Sequence, residues 1–259
     1  MKPSLSSCIF FITSLFTTSN GISQNFKLGI KGGLSFPNLA SSGGSDVSEG
    51  YKTISGPDVG LIVEYRIAKN LFLESGLEFS TQGGQKSGLQ TIPASPDLAR
   101  YFPPGSNVQF LYANFASAVK LQYLMLPVLI KYTMDMDDAG HWRLYWDGGV
   151  FGGLLITANA SAKGTSRVYY DKGETSQVSS VAVQFDSTGN IKNQLNNANF
   201  GIQGNVGGLY HINSISYFIE AGGNYGFINL QKNSKNGNNY TGALIFRIGL
   251  LYDLESKKK

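Results

Sequence analysis

Glu74 and Glu78 have the spacing of a carboxylate pair that could serve general acid and base chemistry. Side chains of an extended chain alternate between two faces, so residues four positions apart project from the same face of a strand. Cations at inward positions of neighbouring segments, such as Lys31 and Lys131, offer these carboxylates ion-pair partners. Pairing is therefore the favoured role of the two glutamates.

Other residue types that support catalysis or metal binding are sparse. The chain has two histidines, His141 in a short polar turn and His211 near the end of a predicted strand, so no metal site is expected from them. Cys8, the single cysteine, lies in an N-terminal apolar segment. The glycine pairs at 148–149 and 152–153 lack the lysine and helix of a phosphate-binding loop. The sequence thus predicts no catalytic residue, no metal ligand and no cofactor.

The segments that must position these residues alternate between apolar and polar side chains. In the first segment one face is apolar, with Phe26, Leu28 and Ile30. The other face carries lysine or glycine, at Lys27, Gly29 and Lys31. Eight such segments, joined by alternately short and long connections, predict an all-β fold. The expected architecture is an eight-stranded antiparallel up-and-down transmembrane β-barrel with its apolar face toward lipid. Pro127, in the fourth segment, lacks a ladder donor and predicts a bulge or distortion nearby.

Charged side chains gather on the inward parity of these segments. An eight-stranded barrel is only wide enough for side chains to fill it, and an unpaired charge inside it would be costly. The near-balance of charge therefore predicts a structural salt-bridge network in the lumen, and a selective pore or proton path is the alternative. The six cations and seven carboxylates are Lys27, Lys31, Arg66, Lys131, Arg143, Arg247, Asp58, Glu64, Glu74, Glu78, Asp147, Glu220 and Asp253.

Aromatic side chains on the outward parity fall at two levels, as expected of girdles at the two membrane interfaces. The periplasmic girdle comprises Tyr65, Tyr132, Trp142, Tyr210, Tyr217 and Tyr252. The external girdle comprises Phe36, Phe79, Phe200, Phe227 and Tyr240. These two levels follow from strand parity and loop length alone.

The N-terminus predicts export. Residues 1–23 have the features of a secretory signal peptide, with Lys2, an apolar run and small residues before Gln24. The mature chain, 24–259, is expected to form one barrel domain in the outer membrane of a diderm bacterium, with outer-membrane lipid as its first partner.

The connections predict how the barrel is oriented and where it binds. Short turns are periplasmic in such barrels, so both termini should be periplasmic and residues 85–117 and 158–198 should be external loops. These loops are candidates for binding an envelope protein complex or an external ligand. The net charge of +4, with three lysines at the C-terminus, gives no reason to expect a nucleic-acid partner.

Several segments together resemble one known family. They are 29–36 (GIKGGLSF), 73–77 (LESGL), 123–132 (YLMLPVLIKY) and 246–250 (FRIGL). Over essentially the whole mature chain the sequence is similar to the PorT-like outer-membrane β-barrel family, which implies an eight-stranded barrel in a diderm outer membrane. The family usually has an acidic residue two positions before the proline. Met125 stands there in this chain, so a polar role at that position is not carried over.

The sequence favours a non-catalytic barrel that acts through its shape and external loops, as an envelope scaffold or as a partner- or surface-binding protein. One alternative is an accessory subunit of a secretion or uptake machine, since the namesake of the family is linked to type IX secretion. Another is a soluble, lipocalin-like carrier, in which the apolar face would surround a ligand.

Overall fold

The computed structural model describes residues 25–94, 108–178 and 180–254. The predicted signal peptide 1–23 with Cys8, residues 95–107 of the predicted external loop 85–117 and the C-terminal lysines lie outside the described residues.

Eight long strands, all antiparallel to their neighbours, form the wall of a barrel in the described part of the chain. They are β1 (Phe26–Ser42), β2 (Gly56–Ala68), β3 (Leu71–Pro93), β4 (Phe110–Asp135), β5 (Trp142–Lys163), β6 (Ala198–Ile212), β7 (Ile215–Gly226) and β8 (Asn238–Asp253). Each strand pairs with the next along the chain, and β1 pairs with β8 from Lys27–Asp253 to Ser42–Asn238, which closes the ring. The predicted fold class is confirmed.

The two faces of the wall differ sharply in polarity. Ile248 is 66% exposed on the outside, whereas the adjacent Arg247 is 2% exposed inside. The same alternation separates Leu61, which is exposed, from the buried Glu64 on β2. An apolar outer wall around a charged interior is the reverse of what a soluble carrier requires, so the lipocalin-like alternative is wrong. The described residues contain no helix long and apolar enough to cross a membrane.

The connections define two different ends of the barrel. Those at 69–70, 136–141 and 213–214 form the short-turn end, and those at 43–55, 94–109, 164–197 and 227–237 form the long-loop end. In the tight β6–β7 turn Asn213 has φ 56°, a left-handed conformation that Asn tolerates better than most residues. Both described chain ends lie at the short-turn end, where the Leu254 N–H donates to the Phe26 carbonyl at 3.0 Å.

The long loops are more regular than the sequence predicts. Residues 85–93 and 110–117 of the predicted loop 85–117 belong to β3 and β4, which stay paired as far as Pro93 and Phe110. Within 158–198, β5 continues to Lys163. Short strands follow it, of which Val168–Tyr169 pairs with β4 and Ser187–Asn190 pairs with β5. Beyond the apolar belt both faces of a hairpin can be polar, so these extensions lack the alternation that identifies a strand.

The distortion predicted near Pro127 is found on the β3 side of β4, where pairing is interrupted at Leu126 and Pro127, between Val128–Ser75 and Met125–Glu78. A second irregularity lies on the β5 side. The β4–β5 register shifts between Gln122 and Tyr123, where Ile156 is the extra residue on β5. Pro127 itself keeps a partner, Phe151, in that ladder. On its other side the Ser75 hydroxyl donates to the Pro127 carbonyl at 2.8 Å, so a side chain supplies a hydrogen bond beside the residue that has no N–H.

Candidate functional site

Arg247 is the centre of the charged interior. Its Nε lies 2.7 Å from Glu220 Oε1, and its Nη1 lies 3.1 Å from Glu78 Oε2 and 3.3 Å from Asp58 Oδ1. These three carboxylates come from β7, β3 and β2, so one guanidinium ties β8 to three other strands. Arginine suits this position because its planar fork presents several donors at once.

Two lysines extend the network toward the short-turn end. Lys31 on β1 pairs with Glu78 and lies 3.6 Å from Glu74 Oε1. Lys131 on β4 lies 2.6 Å from Glu64 Oε1 and 3.1 Å from Glu74 Oε2. Glu74 therefore bridges the two lysines. Since Glu74 and Glu78 are 2% and 0% exposed, a substrate in solution cannot reach this carboxylate pair.

Asp147 is a member of the same interior that receives no cation within ion-pair distance. Its Oδ1 accepts a hydrogen bond from Asn205 Nδ2 at 2.7 Å, while its Oδ2 has no hydrogen-bond partner. Asn205 in turn accepts from Arg247 Nη2 at 2.9 Å. We refer to the set Lys31, Lys131, Arg247, Asp58, Glu64, Glu74, Glu78, Asp147 and Glu220 as the lumen network.

Four of the predicted lumen charges lie nearer the short-turn end, outside the lumen network. Lys27 pairs with Asp253 at 3.0 Å. Arg143 pairs with Asp135, on the neighbouring strand, at 2.7 Å, and the Arg66 guanidinium lies 5.7 Å from the Phe72 ring centre. Long arginine side chains near a barrel mouth can direct their charged ends toward water. The lumen network itself therefore holds more carboxylates than cations.

An apolar plug fills the long-loop half of the lumen. The largest contributions come from inward positions on β4 and β5, and the connections cover them with Leu195 and Leu230. The plug consists of Leu39, Leu121, Tyr123, Met125, Phe151, Leu155, Ala158, Leu195 and Leu230. The alternation of most strands predicts a uniformly polar lumen and does not predict this plug. The available signal was the blurred alternation of the fourth segment, where Met125 and Leu129 occupy inward positions.

The predicted girdle residues lie on the outer wall. Near the short-turn end the Trp142 and Tyr210 rings are 4.5 Å apart, and Tyr65 packs on Phe26 at 5.0 Å. The other residues of this set, Tyr132, Tyr217 and Tyr252, are 38%, 50% and 49% exposed. In the long-loop half Phe200 and Phe227 are 6.3 Å apart. Phe36, Phe79 and Tyr240 are half-buried among their neighbours there.

The histidines are closer together than their sequence separation suggests, because the His211 N–H donates to the His141 carbonyl at 2.8 Å. Their rings have different partners. His141 Nδ1 lies 3.6 Å from Asp137 Oδ2, and His211 Nδ1 lies 2.9 Å from the Ser216 hydroxyl. Within the described ranges no group of three or more His, Cys, Asp or Glu side chains could hold a metal ion.

The long-loop end carries an open cavity of about 430 Å³. Its walls come from three parts of the chain: the β1–β2 connection with Asp46 and Glu49, the extended β3–β4 hairpin with Lys86 and Tyr112, and Lys172 of the β5–β6 connection. Lys172 Nζ lies 2.6 Å from Asp46 Oδ2, and Lys86 Nζ donates to the Val47 carbonyl at 2.6 Å. The cavity is therefore held open by contacts between loops.

The turn that presents Lys172 is fixed by its own hydrogen bonds. Asp171 accepts from the Thr175 N–H at 3.1 Å and from the Ser176 N–H at 2.7 Å. These backbone donors hold the pKa of the Asp171 carboxyl below its usual value. The hydrogen bond to Asp46 raises the pKa of Lys172 above its usual value. Both side chains are thus ionised at neutral pH.

One family model and several solved structures resemble the chain. Residues 22–211 match the model described as outer membrane protein beta-barrel domain. No curated protein sequence matches. Neisserial surface protein A is 13% identical, with a TM-score of 0.39 over 88% of this chain and 96% of that one. OprG from Pseudomonas aeruginosa is 13% identical, with a TM-score of 0.37 over the same shares. Ail of Yersinia pestis, in complex with the heparin analogue sucrose octasulfate, is 11% identical, with a TM-score of 0.31 over 88% and 99%.

Proposed function

This chain belongs to the outer membrane protein β-barrel domain family, and from that premise we propose that it is a non-conducting barrel that binds a partner at its long-loop end. The observation that carries the proposal is the filled lumen. The lumen network closes the middle of the barrel, and the apolar plug, with Phe151 and Leu155 each no more than 3% exposed, closes the half above it. A filled barrel leaves recognition to its loops.

The orientation that we propose follows the rule for this class of barrel, which has short periplasmic turns and longer external loops. The long-loop end would then face the outside, and both termini would be periplasmic. This orientation agrees with residues 1–23 acting as a signal peptide that is removed before Gln24. It also sets the Trp142 and Tyr210 girdle at the periplasmic interface.

Partner binding is supported by the organisation of the long loops. The cavity beside Lys172 has a volume within the range of ligand sites in proteins, and contacts between separate loops hold its walls in place. A preorganised surface binds with less loss of conformational entropy than a flexible one. No catalytic role is proposed, because the buried glutamate pair is engaged by lysines and an arginine.

The proposal is tested with purified protein in planar bilayers and by cross-linking in cells. Conductance should stay at background, and a partner should be captured by the full chain. A matched variant joins Lys163 to Ser187 through Asn-Gly, in place of 164–186. These ends are adjacent because Ala162 pairs with Ser187. The variant should insert normally and capture nothing.

Steady, ion-selective channels from the unmodified protein would overturn the filled-barrel proposal. The resemblance to the PorT-like family supplies the alternative, an accessory subunit of a secretion or uptake machine. Co-purification of a stable complex of periplasmic or secretion proteins, retained by the loop-shortened variant, would favour that alternative over binding at the long-loop end.

A further inference from the structure

The charges of the lumen network do not balance. Among the described residues its three cations, Lys31, Lys131 and Arg247, face six buried carboxylates. Each cation contacts at least two carboxylates, so all are already shared. An uncompensated charge in a low-dielectric interior is strongly destabilising. The interior therefore attracts positive charge from outside the network, and the buried Lys27 supplies part of it near Glu64.

Asp147 is the carboxylate of the lumen network whose negative charge is least neutralised by nearby cations. Its side chain is 6% exposed, and its Oδ2 has no hydrogen-bond partner. Lys131 is its neighbour across the β4–β5 ladder. The Lys131 ammonium is nevertheless turned toward Glu64 and Glu74, at 2.6 Å and 3.1 Å.

The groups around Asp147 cannot turn to supply the missing charge. Glu74 on β3 and Glu220 on β7 add negative potential, and Lys131 on β4 is engaged. Asn205 on β6 is held between Asp147 and Arg247 of β8. Tyr145 on β5 donates its hydroxyl hydrogen to Glu220 at 2.7 Å. No free donor remains among these neighbours.

We propose that Asp147 Oδ2 binds one small monovalent cation, a proton or an alkali metal ion, when the barrel folds. A multivalent ion lacks a suitable set of ligands here, because the described residues offer no group of three or more His, Cys, Asp or Glu side chains for a metal. The site couples barrel stability to the cation. A species bound only by the folded state changes the unfolding equilibrium constant by up to about tenfold for each tenfold change in its concentration.

Two arms of one experiment identify the cation, with urea unfolding of the protein in detergent micelles as the measurement. In the first arm the pH varies at constant choline chloride. A bound proton predicts that stability falls as pH rises, because the folded state then holds more protons than the unfolded state. In the second arm sodium or potassium chloride replaces choline chloride at constant pH and ionic strength. A bound alkali ion predicts that stability rises with the small cation.

Asp147→Asn keeps the shape of the side chain and removes the charge that needs compensation. If the stability of the unmodified protein depends on pH, or on the small cation, the stability of this variant should no longer show that dependence. Asp253→Asn is the matched control, because Asp253 pairs with Lys27 outside the lumen network. The control should be less stable than the unmodified protein, and its stability should still depend on pH or on the small cation in the same way. It also reports any contribution from His211, which lies 4.0 Å from Asp253.

An unmodified protein that responds in neither arm would overturn the proposal, whatever the variants do. A dependence that Asp147→Asn retains in full would also overturn it, since the cation would then be bound elsewhere.

Discussion

Arg247 contacts carboxylates on three other strands, β2, β3 and β7. Its inward position follows from the alternation of residues 244 to 252 and could be predicted. Its ion-pair partners could not be predicted, because they depend on the height at which the residues of each strand lie in the ring. Glu220 faces Arg247 only because of the β7–β8 register. Arg143 shows the same limit, since parity alone gave no sign that Asp135 would take it out of the lumen.

Replacing Arg247 should be far more costly than replacing Arg143. Arg247→Met leaves the carboxylates of Asp58, Glu78 and Glu220 without the cation that they share. Loss of one partner from a buried ion pair costs about 3 to 5 kcal/mol. Arg143→Met removes a partly exposed pair, worth about 0 to 1 kcal/mol. The free energy of unfolding in micelles measures both. Equal losses would mean that water fills the interior and screens it.

Arginine on the outer wall should also be costly. Ile248 and Leu61 are 66% and 58% exposed in the apolar belt, and Arg there should destabilise folding into lipid by about 2 to 4 kcal/mol. Val183 at the long-loop end is 43% exposed, and Val183→Arg should change stability by only about 0.5 kcal/mol. Refolding into vesicles of defined composition gives the comparison. Similar costs at all three positions would contradict the assignment of the belt to lipid.

At the scale of elements, the membrane-spanning parts of the strands were predictable and their extensions were not. Lipid on one side and a polar interior on the other impose a strict alternation on β1, β2 and β8. That constraint ends where β3 and β4 leave the belt, so residues 85–93 and 110–117 gave no strand signal. The apolar plug went unrecognised for a related reason: Leu195 and Leu230 lie in connections, and their burial depends on how those connections fold back over the barrel.

The β5–β6 connection should contain two parts of different importance. Replacing 164–186 by Asn-Gly should leave the free energy of unfolding within about 1 kcal/mol, because loop length contributes weakly. Leu195 is 7% exposed in the plug, and Leu195→Ala should cost about 2 to 5 kcal/mol. Heat resistance on unheated gels and urea unfolding report both changes. A loop-shortened variant that fails to fold would show that the whole connection is part of the core.

At the scale of the whole molecule, the barrel resembles a filled cylinder with different ends. The short-turn end is compact, with β-hairpin turns and the paired chain ends. The long-loop end has a built surface, in which contacts such as Lys172–Asp46 join loops from different hairpins. In the proposed non-conducting barrel, the side chains that fill the lumen separate these two ends, so recognition at the long-loop end does not depend on passage through the barrel.

The orientation and location of the barrel are tested most directly by labelling single cysteines on intact cells with a membrane-impermeant maleimide. Cys8, the single cysteine, lies within the predicted signal peptide, so the mature chain gives no background. Val181→Cys at the long-loop end should react on intact cells. Ser214→Cys in the β6–β7 turn should react only after the outer membrane is permeabilised. Labelling of Ser214→Cys on intact cells, with Val181→Cys protected until permeabilisation, would contradict the account.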